Sequence, residues 1–129
     1  MDGKGQLTVF RADSGRPNGN CFDAKGRLIS CEGGEQGPGR RRIVRTDLKT
    51  NTIDVLTDKF EGKRYNAPND VCVDSRGRVW FTDPYYGPDR GHLEMDVEGV
   101  YRIDPVAVPS DREWQVTRVL TQKEVQRPN

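Results

Sequence analysis

The sequence has little of what several large classes of protein depend on. Only 33% of its 129 residues are hydrophobic, and no apolar run approaches the roughly 20 residues of a membrane-spanning helix. The net charge is +1, without the basic excess that is typical of a nucleic-acid-binding protein. The three cysteines do not make a disulfide framework. We therefore expect neither a membrane nor a nucleic acid as a partner.

Glycine and proline, in contrast, are frequent. The chain has 14 glycines and 8 prolines, a composition that suits short strands joined by turns better than helices. Low hydrophobicity alone could indicate disorder, but the net charge is near zero and the apolar residues lie in short alternating runs. The sequence therefore predicts an ordered β protein with no convincing helix.

A recurring tripeptide marks a structural repeat. Arg-Pro-Asn or Ala-Pro-Asn ends at Asn18, Asn69 and Asn129, at intervals of 51 and 60 residues. The residues after the first two copies also match, and they place Cys21 and Cys72 at equivalent positions, where small buried residues are expected. Self-similarity at this period indicates a repeat architecture, in which one unit cannot bury its own core.

Each repeat predicts four antiparallel strands in about 50 residues, the pattern of a β-propeller blade. The predicted organisation has a blade edge strand at 5–12, one blade at 17–57, a second blade at 68–121 and the start of a third at 127–129. The fold class is therefore all-β, with about two four-stranded antiparallel blades. Because the third copy of the repeat only begins, we expect the chain to be part of a larger propeller. We also expect the N-terminal portion of that propeller to be missing from this sequence.

The predicted long loops fall mostly on one side of the blades. The loops 33–39 and 84–97 and the connection 58–67 lie at the same end as the repeat asparagines, whereas the loop 105–114 lies at the other end. Long loops that collect on one face of a repeat protein usually mark the binding face. The asparagine end is therefore the candidate site.

The three repeat asparagines are the candidate ligands at this end. In a propeller the innermost strands run the same way around one axis, so equivalent side chains at their leading ends converge. Amide oxygens are hard, neutral ligands of the kind that calcium binds, although a carboxylate must also contribute. The alternative is that each asparagine hydrogen-bonds its own backbone, as asparagine often does in turns.

Two segments carry a family resemblance. Residues 66–84 read Asn-Ala-Pro-Asn-Asp-Val-Cys-Val-Asp-Ser-Arg-Gly-Arg-Val-Trp-Phe-Thr-Asp-Pro, and residues 98–105 read Glu-Gly-Val-Tyr-Arg-Ile-Asp-Pro. Together they resemble the bacterial branch of the regucalcin and gluconolactonase family, also called the senescence marker protein and LRE-like family. The resemblance implies a six-bladed propeller with a divalent cation, usually calcium, in its central channel. It also implies lactone hydrolysis, or organophosphate hydrolysis as in some relatives.

The resemblance also assigns roles to individual residues. Asn69 corresponds to a channel asparagine that contacts metal or substrate, and Asn129 corresponds to a metal ligand. Asn18 occupies the preceding repeat position and is a candidate for substrate binding. The aspartate that serves as general base in the family, and a glutamate ligand, have no counterpart in this chain. Ala67 replaces an arginine of the animal members, so their substrate specificity is not inherited.

Apart from the resemblance, Glu32 and Asp83 end the predicted second strands of the two repeats at the asparagine end. Their carboxylates could reach the channel rim, which makes Asp83 a further substrate-binding candidate, or could instead cap backbone N–H groups or pair with arginine.

Several residues of the loops and rim have two interpretations. Tyr85 and Tyr86 could wall a substrate pocket or pack their loop onto the blade. The lone histidine, His92, is more typical of a surface residue than of a catalytic base. Four rim cations could attract an acidic substrate, although solvated loop charges are the more common explanation: Lys59, Lys63, Arg64 and Arg90.

These observations lead to one main functional hypothesis. The chain is expected to be a segment of a calcium-dependent hydrolase that opens a small-molecule lactone, with the missing blades of the same propeller as its partners and no activity on its own. The alternatives are a non-catalytic propeller module and an organophosphate-type hydrolase that uses the same metal site. The compartment is open, either cytoplasmic or exported.

Overall fold

The computed structural model describes residue 3 and residues 5–34, 39–105 and 114–129, and these residues form ten strands and one short helix. The elements are β1 (Pro17–Phe22), β2 (Leu28–Glu32), β3 (Arg42–Thr46), β4 (Ile53–Thr57), β5 (Lys59–Phe60), β6 (Lys63–Arg64), β7 (Val71–Val73), β8 (Val79–Asp83), β9 (Gly99–Asp104), β10 (Gln115–Thr121) and α1 (Gln122–Val125). No helix within these residues is both long and apolar enough to cross a membrane.

Eight of the strands form two antiparallel sheets, and each sheet is a meander of consecutive strands. The first sheet has the order β1-β2-β3-β4 and the second has the order β10-β9-β8-β7. A four-stranded meander is the unit of a propeller blade, with β1 and β7 as the inner strands. The predicted all-β fold of two blades is confirmed.

The same turn closes the first hairpin of both sheets, as the sequence repeat predicts. In the first turn Asp23 Oδ1 accepts the backbone N–H groups of Lys25 and Arg27, each at 2.9 Å. Asp74 accepts the equivalent bonds in the second turn. The glycine of each turn has a positive φ, 73° in the first and 76° in the second, which a residue without Cβ adopts at little cost.

The core lies between the two sheets and is centred on three aromatic rings. Tyr65, Phe81 and Tyr101 contact one another with ring centroids 5.1 to 5.3 Å apart. Aromatic pairs at this distance add to the stabilisation from burial. Aliphatic and sulfur-containing side chains from both sheets and from the loop before β9 surround the rings: Ile29, Cys31, Ile43, Leu56, Val71, Val79, Met95 and Ile103. The blades therefore share one core.

The inner strands approach most closely at their leading ends. The backbone N–H of Gly19 donates to the carbonyl oxygen of Asn69 at 2.5 Å. A Cβ at Gly19 would lie 2.6 Å from both that oxygen and Asp70 Cα. Only glycine fits between these backbones, so this position fixes how near the two repeat asparagines lie.

We expect Gly19→Ala to lower the free energy of unfolding by about 1–3 kcal/mol, because the added methyl group must push two backbones apart. Urea denaturation at 25 °C measures the change. Gly3→Ala is the matched control, because a Cβ at Gly3 meets nothing within 4 Å. Equal stabilities for the two variants would contradict the close approach of β1 and β7.

Three local features differ from the prediction. Residues 5–12, expected to be a strand, form none: Leu7 and Val9 are 80% and 81% exposed, and a strand needs a hydrogen-bonded neighbour. The connection 58–67 contains the unpredicted hairpin β5–β6. The helix α1 was also missed, although Thr121 and Glu124 form a capping box, which is a recognisable start signal.

The cysteines do not all take the expected environment. Cys31 is buried, but Cys21 is only half-buried and Cys72 is exposed. Cys72 lies on a face of the second blade that nothing in the described chain covers, which accounts for its exposure. Parts of two predicted loops, residues 35–38 and 106–113, lie outside the described residues.

Candidate functional site

The three repeat asparagines meet in one line of side chains. Asn18 Nδ2 donates to Asn69 Oδ1, and Asn69 Nδ2 donates to Asn129 Oδ1 at 2.5 Å. Each asparagine follows a proline at the leading end of a repeat, so the shared backbone path brings the carboxamides together. The alternative interpretation was that each asparagine side chain bonds its own backbone. Instead, the side-chain N–H groups of Asn18 and Asn69 donate to the carboxamide of the next repeat.

A pocket of about 320 Å³ opens beside this line of carboxamides. Its lining comes from the leading ends of both repeats and from two loops: Arg16, Pro17, Asn18, Gly33, Gly34, Ala67, Pro68, Asn69 and Tyr86. The pocket therefore lies on the side predicted from the loop lengths.

The two neighbouring tyrosines take different roles, one in the pocket wall and one in the loop packing. Tyr86 lines the pocket and its hydroxyl donates to Asn129 Oδ1 at 2.6 Å. Tyr85 is 2% exposed and donates to the carbonyl oxygen of Asp89 at 2.7 Å, so it packs the loop. The guanidinium of Arg127 lies 5.2 Å from the centroid of the Tyr86 ring. Tyr86 thus joins the third asparagine to the pocket wall.

Asp83, the third candidate for substrate binding, is not among the residues that line this pocket. Its side chain is fully buried. Its two carboxylate oxygens accept the backbone N–H groups of Asn66 and Ala67, each at 2.8 Å. Burial raises the pKa of Asp83 from 3.8 to about 7, against the lowering effect of these two N–H groups. The carboxylate therefore holds the segment that leads to Asn69.

Glu32 takes the corresponding position at the end of β2. It is also fully buried, and its carboxylate pairs with Arg42 Nε at 2.6 Å. A Cβ on Gly15 would lie 2.6 Å from Glu32 Cδ, so the glutamate fills the space next to the first repeat. Backbone capping at Asp83 and arginine pairing at Glu32 are the two alternatives that the sequence left open for these acids.

The rim cations that were predicted as possible anion binders mostly have partners. Lys63 pairs with Asp96 at 2.9 Å, and Arg90 pairs with Glu98 at 2.5 Å. Arg64 donates to a backbone carbonyl at 3.3 Å. The remaining cation, Lys59, lines a groove at the outer strands and not this pocket. His92 packs on Tyr85, with the ring centroids 5.4 Å apart.

The line of carboxamides fits part of a calcium site. It offers three neutral amide oxygens, and calcium accepts such ligands when carboxylates complete the set. Within the described residues no group of three or more His, Cys, Asp or Glu side chains could hold a metal. Asn69 and Asn129 are the residues that would hold a cation here, together with charged ligands.

The sequence did not predict the contacts of the Asn66 side chain or the hydrogen bond from Tyr86 to Asn129. Asn66 is 2% exposed, and its Nδ2 donates to the carbonyl oxygens of Asp83 at 3.2 Å and Val97 at 3.0 Å. The repeat gave no signal for Asn66, because Gly15 is its counterpart. The bond from Tyr86 to Asn129 joins residues 43 apart in sequence, which no local pattern indicates.

The fold and the site together define two propeller blades whose asparagine carboxamides line up at the inner ends of the blades. Residues 2–122 match the family described as the SMP-30/Gluconolactonase/LRE-like region. The chain belongs to this family, which confirms the resemblance noted in its sequence motifs.

Individual relatives agree with the family match. Over 71 residues the chain is 39% identical to a gluconolactonase of Zymomonas mobilis subsp. mobilis, an alignment that covers 52% of this chain and 20% of that protein. It is similar to the solved structure of a Xanthomonas campestris gluconolactonase, with 32% identity, a TM-score of 0.68 and coverage of 88% of this chain and 36% of that one. A structural-genomics target provisionally described as a gluconolactonase gives 31% identity, a TM-score of 0.68 and coverage of 89% and 38%. The chain thus spans less than half the length of each of these relatives.

Proposed function

We propose that these blades form part of the active site of a calcium-dependent hydrolase that opens a lactone ring, as a gluconolactonase does. The observation that carries the proposal is the line of Asn18, Asn69 and Asn129 beside the pocket. Three separate repeats contribute to it, so it is not a product of local chain geometry. Membership of the gluconolactonase family supports the same conclusion.

The residues of the chain have distinct roles in this proposal. Asn69 and Asn129 hold the cation, and Asn18 and Asn69 hydrogen-bond the lactone. Tyr86 orients Asn129 through its hydroxyl. A bound divalent cation would polarise the lactone carbonyl and stabilise the charge that develops on its oxygen. The general base is a carboxylate from another blade, so we expect these 129 residues alone to show no turnover.

Cation binding is tested in a chimaera in which residues 17–129 replace the corresponding blades of the Zymomonas mobilis gluconolactonase, so that the other blades can supply charged ligands. We expect this chimaera to bind Tb³⁺, a luminescent substitute for calcium, and Asn69→Ala to weaken this binding by about tenfold or more, because it removes the central oxygen ligand. Tyr86 lies beside Asn129, so excitation of tyrosine at 280 nm should sensitise the Tb³⁺ emission. The matched control is Asn51→Gly, in a turn outside the pocket, where glycine keeps the positive φ of 57°. Equal emission titrations for the two variants would contradict the cation site.

Turnover is tested in the same chimaera. We expect hydrolysis of glucono-δ-lactone, measured by pH-stat, to depend on calcium and to fall by about 100-fold or more in kcat/KM with Asn69→Ala. Activity that survives both chelation and the substitution would overturn the proposal. Activity on a phosphotriester but not on the lactone would assign the site to a different hydrolase.

A further inference from the structure

The segment that carries Asn69 is held from beneath by the end of β8. The backbone N–H of Asn69 donates to the carbonyl oxygen of Thr82 at 2.9 Å, and the N–H of Thr82 donates to the carbonyl oxygen of Asp70 at 3.1 Å. Asp83, the next residue, accepts the N–H groups of Asn66 and Ala67. Two consecutive residues of one strand therefore set the backbone path of residues 66–70.

The side chain of Asn66 strengthens the same attachment. Its Nδ2 donates to the carbonyl oxygens of Asp83 and Val97, at 3.2 and 3.0 Å. Asn66 and Asp83 are both almost fully buried, so water does not compete for these bonds. The leading end of the second repeat is thereby fixed to β8 at three points within two residues.

The two bonds from the backbone need an ionised carboxylate. Each oxygen of a carboxylate accepts hydrogen bonds, whereas a protonated carboxyl group carries a donor O–H on one oxygen. With that proton in place, one of the two N–H groups of Asn66 and Ala67 would face a hydroxyl group in a buried site. Losing such a bond is costly because neither N–H group has another acceptor within the part of the chain that the structure describes.

We propose that Asp83 is a positioning residue that places the Asn69 carboxamide at the pocket, and that it does so only as a carboxylate. That Asp83 holds the backbone of residues 66–69 follows from its hydrogen bonds to Asn66 and Ala67 alone. Its consequence for cation binding rests on the proposed function, in which Asn69 is a ligand. The site should therefore lose its arrangement when Asp83 is neutralised.

The groups around Asp83 set the pH at which its carboxylate becomes protonated. Burial raises the pKa of Asp83 to about 7, so the change of state falls near neutral pH. Titratable and charged groups of several neighbouring elements face the carboxylate: Arg41 favours its ionised form, Glu98 opposes it, and Cys31, Tyr65 and Tyr101 are neutral neighbours at this pH.

The test is a ¹H–¹⁵N NMR titration of the 129-residue chain between pH 5.5 and 8.5. We expect the backbone signals of Asn66 and Ala67 and the side-chain signals of Asn69 to move with one common midpoint near pH 7. In Asp83→Asn these movements should disappear, and the Asn69 signals should stay near their low-pH positions. A buried carboxylate with a purely structural role would not move the Asn69 side chain with its own titration.

The matched control is Asp74→Asn. Asp74 Oδ1 also accepts two backbone N–H groups, from Arg76 at 2.9 Å and Arg78 at 3.1 Å, but at the opposite end of the blade. This variant should leave the Asn69 titration unchanged. The proposal is overturned if Asn66 and Ala67 titrate while Asn69 does not, or if Asp83→Asn leaves the Asn69 titration intact. If Asp83→Asn does not fold, the wild-type titration decides the question.

A second readout connects the inference to the proposed function. The Tb³⁺ affinity of the chimaera should fall about tenfold from pH 8 to pH 6 with the same midpoint as the NMR signals, and the chimaera with Asp83→Asn should bind weakly at both pH values. An affinity that is independent of pH while Asn69 titrates would overturn the link from Asp83 to the cation. A chimaera that binds no Tb³⁺ at all counts against the proposed function, while the NMR titration still decides the positioning role.

Discussion

Tyr101→Ala is expected to lower the free energy of unfolding by about 3–5 kcal/mol, a large loss for a single substitution. Tyr101 is fully buried, and its ring lies within 5.3 Å, centroid to centroid, of Phe60, Tyr65 and Phe81. Alanine would leave a cavity where the two sheets meet. Because this core joins the blades, the loss should affect the whole unit and not one hairpin.

Equilibrium urea denaturation followed by tryptophan fluorescence measures the change, and Tyr101→Phe is its control. Phenylalanine keeps the ring and removes only the hydroxyl, which lies 4.0 Å from Met95 Sδ, so we expect a loss of about 1 kcal/mol or less. A cost below about 1.5 kcal/mol for Tyr101→Ala would show that the ring cluster does not hold the blades together.

Stability is expected to fall as the pH rises from 4 to 7, because of Asp83. Burial raises its pKa from 3.8 to about 7, so the folded chain binds this proton more tightly than the unfolded chain does. In that pH range the folded state holds more protons, and raising the pH favours unfolding. A shift of this size corresponds to roughly 4 kcal/mol across the whole range.

Urea denaturation at pH 4.5, 6 and 7.5 measures this dependence. The same series on Asp83→Asn should lose most of the slope, because asparagine has no proton to release. A wild-type chain that gains stability toward pH 7.5, or a variant with an unchanged slope, would contradict the assignment. The fold with an ionised Asp83, the state that we propose for positioning Asn69, is thus less stable against unfolding than the fold with Asp83 protonated, as is common at functional sites.

The fold could be predicted because residues close together in sequence determine its hairpins. The turns at Asp23 and Asp74 carry the same residues at the same spacing, and both form the same hydrogen bonds. Two such hairpins, each extended by alternating apolar strands, are sufficient to indicate blades. Residues 5–12 also alternate, but a strand needs a partner, and the sequence does not show whether one is present.

The candidate site could be predicted only in part. The repeat placed Asn18, Asn69 and Asn129 together because equivalent positions in a cyclic repeat face one axis. It could not show that Asp83 is buried beneath Asn66 instead of reaching the pocket, since a carboxylate at the end of a strand suits both places. Burial decides between them, and burial depends on how the loop 84–97 and the second sheet pack.

The meander order of the two sheets has a consequence for how the chain folds. Every pairing within a four-stranded sheet joins strands that are adjacent in sequence, so each one closes a short loop at a small entropic cost. Proteins built from such short-range contacts fold faster than β-sandwiches of similar size. Either blade can therefore nucleate first, and the refolding rate should be sensitive to the hairpin turns but little affected by substitutions on the lateral faces.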